Sequence, residues 1–181
     1  MGAAFEKLDE PLIKFLRAQH IFFVATAPSG EEGHVNLSPK GYDTFRIIDE
    51  ETVAYLDLTG SGVETIAHLR QNGRITLMFC AFSGPPKIMR LYGRGEVLEP
   101  EDEGFAELSG LFPEQPGIRA VIRVRLERVS TSCGYAVPRF AYEEEREGLT
   151  KWIEKKGPEG IERYKREKNG ESIDGLPALK G

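Results

Sequence analysis

The sequence has few cysteines and no long apolar run. Cys80 and Cys133 are its two cysteines in 181 residues, and a secreted chain of this size held by disulfides usually carries more. Two sparse thiols fit a reducing, cytoplasmic setting, although a single bridge between them stays open. Because no apolar run approaches ~20 residues, the sequence predicts no membrane span.

Positive charge and histidine are also scarce. The chain has 24 Lys and Arg against 29 Asp and Glu, for a formal net charge of −5 at pH 7. This balance argues against nucleic-acid binding driven by bulk charge, but a local basic pocket is compatible with it. His20, His34 and His68 do not pair at metal-ligand spacing, so we expect no metal site.

The apolar residues are arranged mainly as short strands. They make up 40% of the chain, and we expect about seven strands joined by short turns, with one helix set between them. Parallel strands need long crossover connections, which this sequence lacks, so the sheet should be mostly antiparallel. The predicted fold class is therefore mainly β with flanking helices (α+β), as a barrel or sandwich.

Two stretches give sharper local predictions. A helix should begin after Asp9, whose side chain is a suitable N-cap. Near the end of the β-rich part, strict alternation predicts one core face and one solvent face. The predicted core face is Ala120, Ile122, Val124 and Leu126, and the predicted solvent face is Val121, Arg123, Arg125 and Glu127.

The composition changes near Tyr142. Charged residues then dominate, in a pattern typical of two short helices broken at Gly157-Pro158, and the last residues show no period. We therefore predict a split into residues 1–140, a barrel domain, and residues 141–181, a helical extension and tail packed on the barrel or on a partner subunit.

A glycine-rich turn, Thr59-Gly60-Ser61-Gly62, joins an apolar strand to a helix. Ser61 and Glu64 match a capping box, in which both side chains satisfy free backbone N–H groups. Alternatively, these N–H groups and the hydroxyls of Ser61 and Thr65 bind a phosphate. The Glu64 carboxylate would compete with a phosphate, so both interpretations hold together only if Glu64 points away.

A second polar pattern lies in the stretch HVNLSPKG. Asn36, Ser38 and Lys40 alternate with Leu37 and Pro39, so the three polar side chains should share one face of a strand. An amide, a hydroxyl and an ammonium group in a row could bind a polar, anionic ligand. A solvent-facing strand edge that ends in a turn explains the same pattern.

The ordered set HVNLSPKG, YLDLTGSGVETIAHLRQNGRITLMF and RLYGRGEV resembles the pyridoxamine 5′-phosphate oxidase-like flavoproteins, the FMN-binding split-barrel family. The resemblance covers roughly residues 21–97. It implies a six-stranded antiparallel split β-barrel that forms a homodimer, with FMN in the grooves between the subunits. It also implies an FMN-dependent oxidoreductase acting on a small-molecule substrate.

The resemblance also implies a cofactor site. Lys40, Ser61 and Thr65 would hold the FMN phosphate, and the backbone of residues 36–38 would line the ring. The whole implied cofactor-binding set is Asn36, Leu37, Ser38, Lys40, Leu58, Thr59, Gly60, Ser61, Gly62 and Thr65.

This chain departs from the oxidase in four places, two of which are Val35 in place of an arginine and Ile88 in place of a glutamine that contacts the flavin ring. It has Glu64 and Thr65 where the oxidase has an Arg-Lys pair, and its C-terminus lacks the oxidase's substrate signature, rich in Trp and Arg. No catalytic residue or substrate is assigned on this basis. A non-catalytic flavin, deazaflavin or heme binding or sensor protein on the same scaffold is the alternative.

Overall fold

A computed structural model describes residues 2–180 and forms one curled antiparallel sheet with helices around it. The strands are β1 (Ala4–Phe5), β2 (Phe22–Thr26), β3 (Asn36–Lys40), β4 (Phe45–Ile47), β5 (Thr52–Leu58), β6 (Arg74–Cys80), β7 (Ile88–Leu98) and β8 (Ile118–Ser132). The helices are α1 (Glu10–Arg17), α2 (Glu64–Asn72), α3 (Phe105–Ser109) and α4 (Gly148–Lys168).

The sheet is a split β-barrel, as predicted. Its hydrogen-bonded order is β3-β2-β6-β7-β8-β5-β4, and β1 pairs separately with β8. All the pairings are antiparallel. Since β3 and β4 end this order, the barrel is open between them. Within residues 2–180 the sheet has eight strands rather than six or seven, partly because β1 is a two-residue strand with no recognisable pattern.

Local chemistry explains the start of α1 and the end of α2. The Asp9 side chain accepts a hydrogen bond from the Leu12 backbone N–H at 2.9 Å, which confirms the N-cap of α1. Helix α2 ends at Gly73, whose left-handed φ of 70° suits a residue without a Cβ. The Gly73 end sets where the chain enters β6, which begins at Arg74.

The main core fills the barrel, where the Phe22 ring packs edge to face with Tyr55 and stacks on Phe79. The four predicted core residues of β8 belong to it, which confirms that face. The prediction for Val121 was wrong, because this residue is fully buried in a second cluster that includes Leu108 of α3 and Phe112. A helix packed on part of the outer face covers a position that strand alternation alone assigns to solvent.

The C-terminal extension contacts the barrel closely. Helix α4 consists of two helical segments that meet at Gly157 (φ 67°, ψ 170°) before Pro158, which confirms the predicted break. Beyond it the tail is irregular, yet Ala178 is only 3% exposed and belongs to the main core. The division at residue 140 stays a prediction, and its outermost residues, 1 and 181, lie outside the described part of the chain.

The structure also bears on the cysteines, on metal ligands and on membrane-spanning helices. Both cysteines are free; Cys80 is buried, which raises the pKa of its thiol, and Cys133 is exposed. Within residues 2–180, no three His, Cys, Asp or Glu residues cluster as metal ligands would. In the same residues, no helix is long and apolar enough to cross a membrane.

We expect Gly93→Ala to destabilise the protein by about 1–3 kcal/mol or more, because overpacking a close contact forces the backbone to move. A Cβ on Gly93 would collide with the carbonyl oxygen of Arg125, at the point where the β7–β8 register shifts. Urea unfolding followed by circular dichroism measures the change.

Gly148→Ala is the matched control, since a Cβ on Gly148 meets nothing within 4 Å. It should change the free energy of unfolding by less than about 0.5 kcal/mol. Equal unfolding midpoints for both variants would contradict the close approach of β7 and β8.

Candidate functional site

Strand β3 presents its polar side chains on one face, as predicted. Asn36, Ser38 and Lys40 are half-buried, whereas Leu37 is 63% exposed. The strand pairs with β2 on one side only, so Pro39 costs the sheet no essential donor. Hydrogen bonds from Asn36 to α2 and from Lys40 to β5 show that the polar face of β3 points toward these two elements.

Asn36 connects β3 to the first turn of α2. Its Nδ2 donates to Thr65 Oγ1 at 2.9 Å, so two of the predicted site residues are in direct contact. Behind them Thr26 Oγ1 lies 3.0 Å from Nδ1 of the buried His68. Burial lowers the pKa of His68, although Asp174 and Glu64 oppose this change.

The hydroxyl of Ser38 is a second polar group on this face of β3. Its Oγ is buried and has no hydrogen-bond partner within residues 2–180. A buried hydroxyl without a partner is costly, and such groups often face a ligand or ordered water.

A buried carboxylate, Asp57 at the end of β5, organises the charges of the site. Its Oδ1 accepts from Lys40 Nζ at 3.1 Å, and its Oδ2 accepts from Arg119 Nε at 2.6 Å. Burial by itself favours the protonated acid, but the two cations outweigh it, so the pKa of Asp57 is below its ordinary value. Lys40, Asp57 and Arg119 together carry one excess positive charge.

Sequence reasoning missed Arg119. This residue lies at a β-bulge, since Leu58 pairs with Ile118 and Asp57 pairs with Ala120, which leaves Arg119 as the extra residue. A bulge redirects a side chain, and the Arg119 side chain is only 4% exposed. No local pattern in the sequence marks this bulge.

The capping-box prediction was wrong. Helix α2 begins at Glu64 with Val63 as N-cap, without a capping side chain, and Ser61 is exposed. Glu64 does not point away, because its Oε2 would lie 2.6 Å from a Cβ placed on Gly62. The carboxylate thus occupies part of the positive potential at this end of α2.

A cavity of about 250 Å³ lies where β3 and β5 end. It is lined by four predicted site residues, Lys40, Leu58, Thr59 and Gly60, and by Leu149 of α4. Asn36, Leu37, Ser38, Ser61, Gly62 and Thr65 lie outside this lining. A larger cavity of about 400 Å³, between α1 and β4, contains none of the ten predicted residues.

The C-terminal extension also reaches the glycine-rich turn, which the sequence did not predict. Asn169, just after α4, is fully buried, and its Nδ2 donates to Gly60 O at 2.9 Å. Nearby, the Tyr42 hydroxyl donates to the backbone carbonyl of Arg146. Residues far apart in the sequence therefore meet around the same cavity.

Comparison with solved structures shows that other proteins have the same split-barrel fold. HupZ of Group A Streptococcus superposes with a TM-score of 0.52 at 20% identity, covering 75% of this chain and 99% of that one. An FAD-binding protein from Mesorhizobium loti gives a TM-score of 0.51 at 17% identity, covering 72% and 96%. At these identities the likeness shows the fold alone.

Sequence comparison shows the family. The family model described as pyridoxamine 5′-phosphate oxidase matches residues 8–133. UstO, a pyridoxamine 5′-phosphate oxidase family protein of Aspergillus flavus, is 38% identical over 197 residues, covering 99% of this chain and 78% of UstO. The chain therefore belongs to the pyridoxamine 5′-phosphate oxidase family.

We expect Asp57→Asn to lower the free energy of unfolding by about 3–5 kcal/mol at pH 7, because it leaves buried cations unpaired. The folded-state pKa of Asp57 is lowered, so its ionised form stabilises the fold at higher pH, and this stabilisation is lost as pH falls through the folded-state pKa. The difference between wild type and variant should therefore shrink as the pH falls below about 4. Urea unfolding at a series of pH values measures it.

Asp43→Asn is the control, since Asp43 forms an ion pair with Arg46 but its side chain is 68% exposed. Its effect should stay within about 1 kcal/mol, as for other exposed pairs. If the loss of unfolding free energy in Asp57→Asn is equally small, or grows as the pH falls, this would contradict the central role of the buried carboxylate.

Proposed function

We propose that this protein is an FMN-binding flavoprotein and an oxidoreductase acting on a small-molecule substrate. The observation that carries the proposal is the excess positive charge of Lys40, Asp57 and Arg119 beside the cavity, where Lys40 keeps 20% of its side chain exposed. A partly buried excess cation favours an anionic ligand. Family membership and the flavin named for one structural relative support FMN as that ligand.

Lys40, which lines the cavity, and nearby groups of β3 and α2 outside its lining suit a phosphate monoester. Lys40 supplies a cation, Ser38 a buried hydroxyl that has no partner among residues 2–180, and Thr65 a second hydroxyl in the first turn of α2. Glu64 opposes this arrangement, because its carboxylate lies beside Gly62. With three favourable groups against one, the site fits FMN and should bind it less tightly than a site without Glu64.

Bound FMN would supply the electron or hydride chemistry. Lys40, Ser61 and Thr65 would hold the phosphate with the help of the Ser38 hydroxyl, and the backbone of residues 36–38 would lie along the ring. Asn36 would keep β3 at a set distance from α2 through its bond to Thr65. Leu149 would limit access of water to the cavity, which it lines.

The size of the cavity supports a homodimer. About 250 Å³ is less than the ~300–1,000 Å³ of most ligand pockets, so one chain encloses only part of FMN. Val35 and Leu37, on the outward face near the barrel edge, are 75% and 63% exposed. A second chain that covers them would complete the groove.

We expect Lys40→Ala to weaken FMN binding by about 1–3 kcal/mol, because it removes a charge-assisted contact to the phosphate. Riboflavin, which lacks the phosphate, should bind both proteins almost equally. Fluorescence quenching of each flavin during titration measures the two affinities.

Two further variants test the same contact. Lys7→Ala removes an exposed lysine that pairs with Glu50 and should leave both affinities unchanged. Glu64→Gln should strengthen FMN binding without affecting riboflavin. Equal losses for FMN and riboflavin in Lys40→Ala would show that Lys40 acts on folding rather than on the phosphate.

In light scattering we expect a mass of twice the 20.2 kDa chain, and we expect Leu37→Glu to yield monomers with weakened FMN binding. A buried unpaired carboxylate at an interface costs several kcal/mol. Ile173→Glu is the control, because Ile173 is an exposed apolar residue of the tail. A strictly monomeric wild type, with or without FMN, would contradict the dimer.

A further inference from the structure

Two buried side chains hold the carbonyl groups of the glycine-rich turn. Arg119 donates through Nη1 to Gly60 O at 3.2 Å and through Nη2 to Gly62 O at 2.7 Å. Asn169 donates through Nδ2 to Gly60 O at 2.9 Å and to Ser61 O at 3.5 Å. Three consecutive peptide groups therefore have their carbonyls directed toward these two side chains.

The direction of each carbonyl also fixes the direction of an N–H group. In a planar trans peptide the C=O of one residue and the N–H of the next point in opposite directions. Holding the carbonyls of Gly60, Ser61 and Gly62 inward therefore directs the N–H groups of Ser61, Gly62 and Val63 away from Arg119 and Asn169. Within residues 2–180 these three N–H groups have no backbone acceptor.

Successive N–H groups that point outward form a concave site that attracts anions. Such a site needs its peptide groups held in place, because glycine allows many other conformations. Gly60 and Gly62 have that freedom, and neither adopts a left-handed φ. The conformation is therefore set from outside the turn.

Both side chains that hold the turn are themselves fixed. Arg119 is anchored by Asp57, through Nε to Oδ2 at 2.6 Å. Asn169 is fully buried, and its backbone N–H donates to Lys165 O while its carbonyl accepts from Leu179 N. Its Oδ1 is buried and has no partner in the described residues, an uncompensated group that packing by itself does not explain.

We propose that Arg119 and Asn169 are positioning residues of the FMN site, which orient the N–H groups of the glycine-rich turn toward the phosphate. This inference rests on the proposed function. It assigns a direct role to the C-terminal extension, because Asn169 lies 109 residues from Gly60 in the sequence. Neither residue needs to touch FMN to act in this way.

The test compares FMN with riboflavin in Asn169→Ala and Arg119→Lys. Asn169→Ala removes the amide that binds two of the carbonyls, and Arg119→Lys keeps the charge but loses the fork that reaches Asp57 and the turn together. In each variant we expect FMN to bind about tenfold more weakly, which corresponds to roughly one hydrogen bond, with riboflavin changed less than about twofold. A purely structural role would weaken both flavins together.

Matched controls lie close to each position. Lys168→Ala changes an exposed residue beside Asn169, and Arg123→Lys changes an exposed arginine of β8 that pairs with Glu96. Both should keep the wild-type ratio of the two affinities. Urea unfolding shows whether each variant is folded. If one of the two test variants is unfolded, the ratio of FMN to riboflavin affinity in the other test variant is used to judge the inference.

The outcomes separate this inference from the proposed function. Loss of the preference for FMN over riboflavin in a folded test variant, with the controls unchanged, supports the inference. Wild type that prefers FMN, with test variants that keep the preference, overturns the inference and leaves the proposed function intact. Wild type that shows no preference for FMN overturns both.

Discussion

The buried carboxylate of Asp57 is the constraint on which the rest of the site depends. A carboxylate removed from water is stable only when it is paired and hydrogen-bonded. Asp57 meets this requirement with two cations from different strands, Lys40 on β3 and Arg119 on β8. One buried group therefore brings together the ends of three strands and leaves a net positive charge where they meet.

Hydrogen bonds to the glycine-rich turn and to the β2–β3 loop connect the barrel to the C-terminal extension. Arg119, anchored by Asp57, binds two carbonyls of the glycine-rich turn, and Asn169 binds that turn from the C-terminal side. Further along the tail, Asp174 accepts from the His34 backbone N–H at 2.8 Å, which ties the tail to the β2–β3 loop. An extension that looks like a charged appendage in the sequence thus shares buried contacts with the barrel.

The residues of the site could be predicted where their arrangement is local. The polar face of β3 follows from the two-residue period of a strand, and the structure places Asn36, Ser38 and Lys40 on one face accordingly. The glycine-rich turn was recognisable by composition, but its capping was not, because α2 begins two residues later than a Ser61 cap requires. Where a helix begins depends on the packing of its first turn as well as on its residues.

By itself, the sequence determined the antiparallel strands, the N-cap of α1 and the polar face of β3, because each depends on residues within a few positions of one another. Only the tertiary structure decided which cations meet Asp57, since the bulge at Arg119 arises from the pairing of β5 with β8. It also decided the contact of Asn169 with Gly60 and the burial of Val121 in the cluster that includes Leu108. These contacts join segments that only the folded barrel brings together, and a linear pattern does not record them.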